Sequence, residues 1–238
     1  MVMTPECDPM GRAVTDYFAN GKAAKLRVFS PMFDEDEIPV KTLFRTVDEM
    51  PALERQALDL ARGRILDVGA GAGCHSLALQ DRGADVTAID ISPLCVDTMR
   101  QRGVKDVLER DFFTLEGQFD TILMLMNGIG IVGALTRLPA FFMQLDRLLA
   151  PGGQLLCDSS DLCYLFEDED GIIDLTGVEG YYGELEYTMQ YKQVKGTPFP
   201  WLFIDPDTLR DAASRHGFEM EVVAPGEHYD YLARITRR

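Results

Sequence analysis

From residue 51 to residue 158 short apolar runs alternate with segments whose apolar positions recur every three or four residues. The first segment, 51–61, places Pro51 in a first turn, sets Leu53, Ala57, Leu58 and Leu60 on one side and closes at Gly63. That spacing predicts a helix. Strand one follows at 64–68, a helix at 76–82, strand two at 85–89, and a helix opened by Ser92 and Pro93 that ends at Gly103. A short strand at 106–108, a strongly apolar strand at 119–125 and an amphipathic helix at 138–149 come next. The turn Ala150-Pro151-Gly152-Gly153 then launches a fifth strand at 154–158. Strands separated by helices at this rhythm predict a parallel sheet covered on both faces. Right-handed crossovers bring the C-terminal end of every strand to one edge, where ligands bind.

The two ends of the chain depart from that rhythm. Residues 1–46 carry no strong period, and Asp34-Glu35-Asp36-Glu37 reads as a solvated loop. Near the C-terminus a helix at 207–216 stops at Gly217 and precedes strands at 218–223 and 229–236, joined through Pro225-Gly226. So tight a connection makes the last two strands antiparallel. The stretch 159–204 is too long for an ordinary connection. Its alternating segments at 183–191 and 200–204 predict a β-hairpin, read as a lid over the ligand edge. A sheet extension used in packing, or in a homodimer, is the alternative. The chain is read as one domain, 1–238, with an N-terminal cap at 1–50, a core at 51–158, the lid insertion at 159–204 and the terminal helix and strand pair at 205–238.

Strand one runs directly into Gly69, Gly71 and Gly73. Strand, glycine turn and helix is the arrangement that lets backbone approach a nucleotide-like ligand. A dinucleotide fingerprint wants its third glycine where Cys74 stands. Asp67, inside the strand, would repel a pyrophosphate and suits a cationic amino group. The stretch resembles motif I of class I S-adenosylmethionine-dependent methyltransferases, an acidic residue followed by G-x-G-x-G. The resemblance implies an α/β fold, a Rossmann-like doubly wound seven-stranded sheet with a reversed last strand, and S-adenosyl-L-methionine as cofactor. It also implies methyl transfer to a small-molecule acceptor, at N or O, by in-line displacement. A non-catalytic module that binds the cofactor and, further off, an NAD-dependent dehydrogenase are the rival readings.

The resemblance sets Asp67, Gly69, Ala70, Gly71 and Gly73 around the cofactor. Asp90, at the end of strand two, can accept both ribose hydroxyls, and Ile91 would lie against the adenine. Asp111 and Phe112 offer a polar group and a flat contact for that base. In the resembling family a backbone carbonyl near the end of strand four holds the methionine amino group, which implies Leu125 or Met126, and Asn127 faces the acceptor. Further acceptor contacts are expected from Asp158, Asp161, Tyr181, Tyr182 and Trp201. Arg45 could fold over the site and pair with the cofactor carboxylate, although a surface role is the plainer reading. His75, after the loop, reads as a polar helix start or a base. A sulfonium methyl is already activated, so positioning carries the reaction, and no catalytic residue is assigned.

Charge narrows the partners. Lys and Arg total 23 against 39 Asp and Glu, a net charge of −16. Such a field disfavours nucleic acid and anionic membrane surfaces. The acids Glu167, Asp168, Glu169, Asp170, Glu179, Glu184 and Glu186 crowd the lid and favour a neutral or cationic acceptor. The five cysteines form no C-x-x-C pair, so neither a disulfide framework nor a metal site is expected. No apolar run approaches the length of a membrane span, and a cytoplasmic location is expected.

Overall fold

The alternation of strand and helix continues through the middle of the chain, and the surprises lie at its start. The structure, a computed structural model, describes residues 3–168 and 170–238; Glu169, counted among the lid acids above, lies outside them. In chain order the elements are α1 (Pro9–Asn20), β1 (Leu26–Phe29), β2 (Asp36–Ile38), α2 (Ala52–Leu60), β3 (Arg64–Val68), α3 (Cys74–Asp81), β4 (Asp85–Asp90), α4 (Pro93–Arg102) and β5 (Asp106–Glu109). They continue with β6 (Phe119–Met124), α5 (Leu138–Leu148), β7 (Leu149–Ser160), β8 (Glu184–Tyr191), β9 (Val194–Lys195), β10 (Phe199–Leu202), α6 (Pro206–Arg215), β11 (Phe218–Pro225) and β12 (Asp230–Arg237).

Seven strands form one sheet in the order β11-β12-β7-β6-β3-β4-β5. The pairs from β7 through β5 are parallel, and β12 runs antiparallel to both β7 and β11. This is the doubly wound sheet with a reversed last strand. From β3 the chain winds outward through β4 and β5, then returns to the other side with β6. The order therefore switches between β3 and β6, where open α/β sheets bind their ligands.

The pleat sorts side chains between the two faces. Leu66 and Val68 of β3, Ile122 and Met124 of β6, and Leu155 and Cys157 of β7 meet Phe141, Phe142 and Leu145 of α5. Ile65, Leu123 and Leu156, one register position away, meet Leu53, Ala57 and Leu58 of α2 and Leu79 of α3. Strand β7 begins earlier than its apolar run suggests. Leu149 pairs with Phe119, the register shifts across the Pro-Gly turn, and pairing resumes at Gln154 with Thr121.

A second, antiparallel sheet runs β10-β8-β1-β2, with the short β9 folded back on β8. The predicted hairpin is present, with Leu202 opposite Glu184 and Phe199 opposite Tyr187. It is not free-standing. Strand β8 pairs on its other side with β1, Leu26 facing Tyr191. The N-terminal segment, which shows no period in sequence, thus holds a helix and two strands. Asp36 and Glu37, expected in a solvated loop, pair with Val28 and Arg27 as edge strand β2. Helix α1 sits between the sheets. Ala13 packs with Leu26, Val40 and Tyr191 of the cap, while Val14 packs with Leu43, Ala72 and Cys95 over the core.

Candidate functional site

The loop leaving β3 is held by backbone as well as by composition. The amides of Gly69 and Ala70 both donate to the Ile89 carbonyl, at 2.9 and 3.0 Å. Gly69, Gly71 and Gly73 have φ of 68°, 58° and 80°, a region that a β-carbon disfavours. Their surroundings differ. A Cβ on Gly69 would meet nothing within 4 Å and one on Gly71 only Leu43, so these two leave a cradle open. On Gly73 it would press Met99 and Val104 at 3.0 Å, so that glycine serves the packing of α3 against α4. Cys74, where a dinucleotide fingerprint wants glycine, is the buried first residue of α3.

Asp90 stands beside the cradle. One carboxylate oxygen accepts the Gly71 amide at 2.9 Å and the other the Ser92 amide at 2.8 Å. Each oxygen keeps a second lone pair for a ligand hydroxyl. Burial pushes this carboxyl up to about 6, against the pull of the two amides. Asp90 is half-buried and braces the loop. The Ser92 hydroxyl, which caps α4 through Cys95, also donates to Asp8. Asp8 in turn caps α1 through Gly11 at 2.7 Å. Ile91 is 38 % exposed beside Asp90, an apolar surface free for a flat group.

Beneath the loop lies a buried polar cluster that sequence reasoning only partly foresaw. Asp67 is 2 % exposed and accepts the Ser76 hydroxyl, and burial raises its carboxyl. Arg45 is a buried residue, not the surface one expected. Its guanidinium pairs with Glu54 of α2, and the same Glu54 oxygen meets His75 Nε2 at 2.6 Å. Burial opposes the charge on His75, but contacts with Cys74 and Glu54 overcome it and raise the imidazole well above its usual value. The ring is enclosed, and its Nε2 is committed to Glu54. The Arg45 Nε is buried without a hydrogen-bond partner among the described residues. Glu54 was legible in principle, since it shares the buried stripe of α2 with Ala57 and Leu58.

The remaining residues fall at the ends of β5, β6 and β7 and in the cap. The Asp111 carboxylate accepts the Phe113 amide at 3.0 Å. The Phe112 ring is core, 5.7 Å from that of Phe141, and its carbonyl accepts Gln144 Nε2 at 2.8 Å. Leu125 is buried, and Met126 and Asn127 follow it with positive φ. Their amides donate to Asp158, while Asn127 Oδ1 lies 3.5 Å from the Ser160 hydroxyl. Tyr181 donates to Asp205 at 2.6 Å and accepts the Asp205 amide at 2.8 Å, so its polar tip serves the start of α6. Tyr182 donates to Asp161 at 2.7 Å. The Trp201 ring lies against Gly130, where a β-carbon would collide with it. His216 stacks on Phe142 with ring centroids 5.0 Å apart, away from these groups.

Comparison with known proteins agrees with this geometry. Residues 65–153 match the model of a methyltransferase domain. A solved S-adenosylmethionine-dependent methyltransferase from Bacteroides fragilis, in complex with S-adenosyl-L-homocysteine, is 55% identical with a TM-score of 0.94. The alignment covers 100% of this chain and 98% of that one. The chain belongs to the S-adenosylmethionine-dependent methyltransferases. Among curated relatives, a ubiquinone biosynthesis O-methyltransferase of Xanthomonas oryzae is 35% identical over 109 residues, 41% of this chain and 43% of the relative. A cypemycin N-terminal methyltransferase of Streptomyces is 32% identical over 41% of this chain and 42% of its own. The chain therefore matches less than half the length of these curated relatives. No helix among the described residues is long and apolar enough to cross a membrane.

Proposed function

We propose that this chain transfers a methyl group from S-adenosyl-L-methionine to a small-molecule acceptor at N or O. The observation that carries the reading is the Gly69–Gly73 cradle with Asp90 fixed beside it by two backbone amides. The 55% identical relative solved with S-adenosyl-L-homocysteine supports the same ligand here. When bound, the cofactor supplies an activated methyl on a sulfonium.

The residues divide the work of holding and orienting. Gly69, Ala70, Gly71 and Gly73 admit the ligand close to backbone. Asp90 accepts the ribose hydroxyls, Ile91 covers one face of the adenine, and Asp111 with the Phe112 backbone meets its edge. Asp67 and the backbone of Leu125 or Met126 serve the amino group. Arg45 has an unmatched buried N–H that suits the carboxylate, and Glu54 holds the guanidinium in place. Asn127 faces the acceptor, with Tyr182 and Trp201 in the walls of its chamber. Positioning and exclusion of water then do most of the work. The cap over that chamber acts as the lid, and a homodimer through the second sheet is the competing role for it.

The test is incubation with methyl-labelled S-adenosyl-L-methionine and a metabolite extract, with labelled products identified by mass spectrometry. One labelled small molecule, absent without protein, is the expected result. Tight binding of S-adenosyl-L-homocysteine with no labelled product from varied extracts would favour the non-catalytic reading.

A further inference from the structure

Where β6 ends, the backbone does something that its residues resist. Met126 and Asn127 have φ of 61° and 56°, both left-handed, and neither is glycine. Asparagine visits that region readily, but methionine does so rarely and persists there only where its surroundings over-determine it. Two in succession call for a tie from outside the turn. Asp158, on the neighbouring strand β7, is that tie. Its Oδ1 accepts the Asn127 amide at 2.9 Å and its Oδ2 the Met126 amide at 3.2 Å. Both oxygens are thus committed to one turn. The side chains are anchored too, Met126 against the cluster of Leu43 and Ala72, and Asn127 beside Ser160.

The turn sits at the sheet's switch point, and in the function proposed above it sets both the carbonyl that meets the methionine amino group and the Asn127 side chain that meets the acceptor. We propose that Asp158 is a positioning residue for methyl transfer, holding Met126 and Asn127 left-handed and touching neither cofactor nor acceptor itself. The inference rests on that reading of Leu125 and Met126. It replaces the acceptor contact that the sequence suggests for Asp158. Each oxygen keeps a lone pair, as in Asp90, so the assignment rests on the left-handed turn that both oxygens tie and not on a carboxylate used up.

Two measurements test it. Hydrogen exchange followed by mass spectrometry reads the turn without any ligand. Asp158→Asn keeps the shape but sets an NH2 group against one of the two amides, so exchange at Met126 and Asn127 should quicken about tenfold. Calorimetry with S-adenosyl-L-homocysteine reads the site. Asp158→Asn should weaken binding about tenfold, and Asp158→Glu, which keeps the charge but moves both oxygens, at least threefold. Met126→Gly removes one left-handed penalty, so in that background the Asp158→Asn loss should shrink to threefold or less. Unchanged exchange at the turn, or the same tenfold loss with and without Met126→Gly, overturns the proposal. Should Asp158→Asn fail to fold, full affinity in Asp158→Glu overturns it as well. The affinity of the unsubstituted protein, measured first, tests the cofactor reading separately.

Discussion

The two sheets of this molecule solve different problems. In the seven-stranded sheet, the parallel neighbours β3, β4 and β5 follow one another within 46 residues, from Arg64 to Glu109. In the second sheet, Leu26 of β1 faces Tyr191 of β8, a separation of 191 − 26 = 165 positions. The first sheet carries the cradle after β3, Asp90 at the end of β4 and the Met126 turn after β6. The second brings a cap assembled from both flanks of that core. The contrast teaches what each sheet draws on. The cradle and Asp90 lie in local units, whereas the second sheet joins segments far apart in sequence.

The largest test of this division lies at the seam. Arg45 reaches from the cap side into the core to Glu54, which also holds His75. Removing one partner of a buried pair typically costs about 3–5 kcal/mol. Arg45→Met should therefore lower the melting temperature by roughly 6–20 °C, read by calorimetry. An unchanged melting temperature would mean that cap and core are held together elsewhere.

Inside the core, Gly73→Val should abolish tight binding. It forces a branched side chain to positive φ against Met99 and Val104. Affinity for S-adenosyl-L-homocysteine should fall at least a hundredfold, about 2.7 kcal/mol. Next comes acidity at Asp90. Its carboxyl, raised to about 6, must be ionised to accept two hydroxyls. Affinity should then fall about tenfold for each pH unit below about 6, and Asp90→Asn should flatten that slope. Stability moves the opposite way. The folded protein keeps a proton that the unfolded chain has released, so the contribution of Asp90 to the cofactor-free fold declines as pH rises from 3.8 towards about 6.

The cap should show the reverse pattern. Trp201→Ala ought to leave S-adenosyl-L-homocysteine affinity within about threefold, under 0.7 kcal/mol, while transfer to the acceptor found in extracts falls far more. Equal losses in both would move Trp201 into the cofactor site. The smallest effect is expected from Tyr191→Phe. Its hydroxyl accepts the Ala24 amide and donates to Asp16, at 3.1 and 2.8 Å. Losing these contacts should cost about 0.5–1.5 kcal/mol of stability with binding unchanged. Excising β8 is a poor test of the cap, because that strand is paired on both sides.

Periodicity explains which parts were legible. Strands β3, β4 and β6 are near-continuous apolar runs between glycines and acids, and their boundaries fall within about two residues of the pattern. Strands β1 and β2 are four and three residues long, too short to show a period; β1 pairs with β8, and β2 with β1. The glycine spacing and Asp90 stood out because each chemistry needs that residue there. Arg45 and His75 were noticed singly and Glu54 was missed, since their joint meaning depends on three elements meeting underneath the loop. The turn at Met126 was seen as a strand end, but its left-handed backbone and its tie to Asp158 belong to tertiary structure alone.

The distant pairing of β1 also has a history in time. On a ribosome adding roughly 5–20 residues each second, β1 emerges about 8–33 s before Tyr191 is made. During that interval β1 has only β2 to pair with, while the strands from β3 to β7 are made one after another. The edge of β1 that pairs with β8 is therefore open until β8 is made, a template for other chains. Closing so long a loop adds little thermodynamic cost but makes capping a late event. In refolding experiments the amides of β1 should gain protection after those of β3, and a holdase chaperone should protect yield most during that gap.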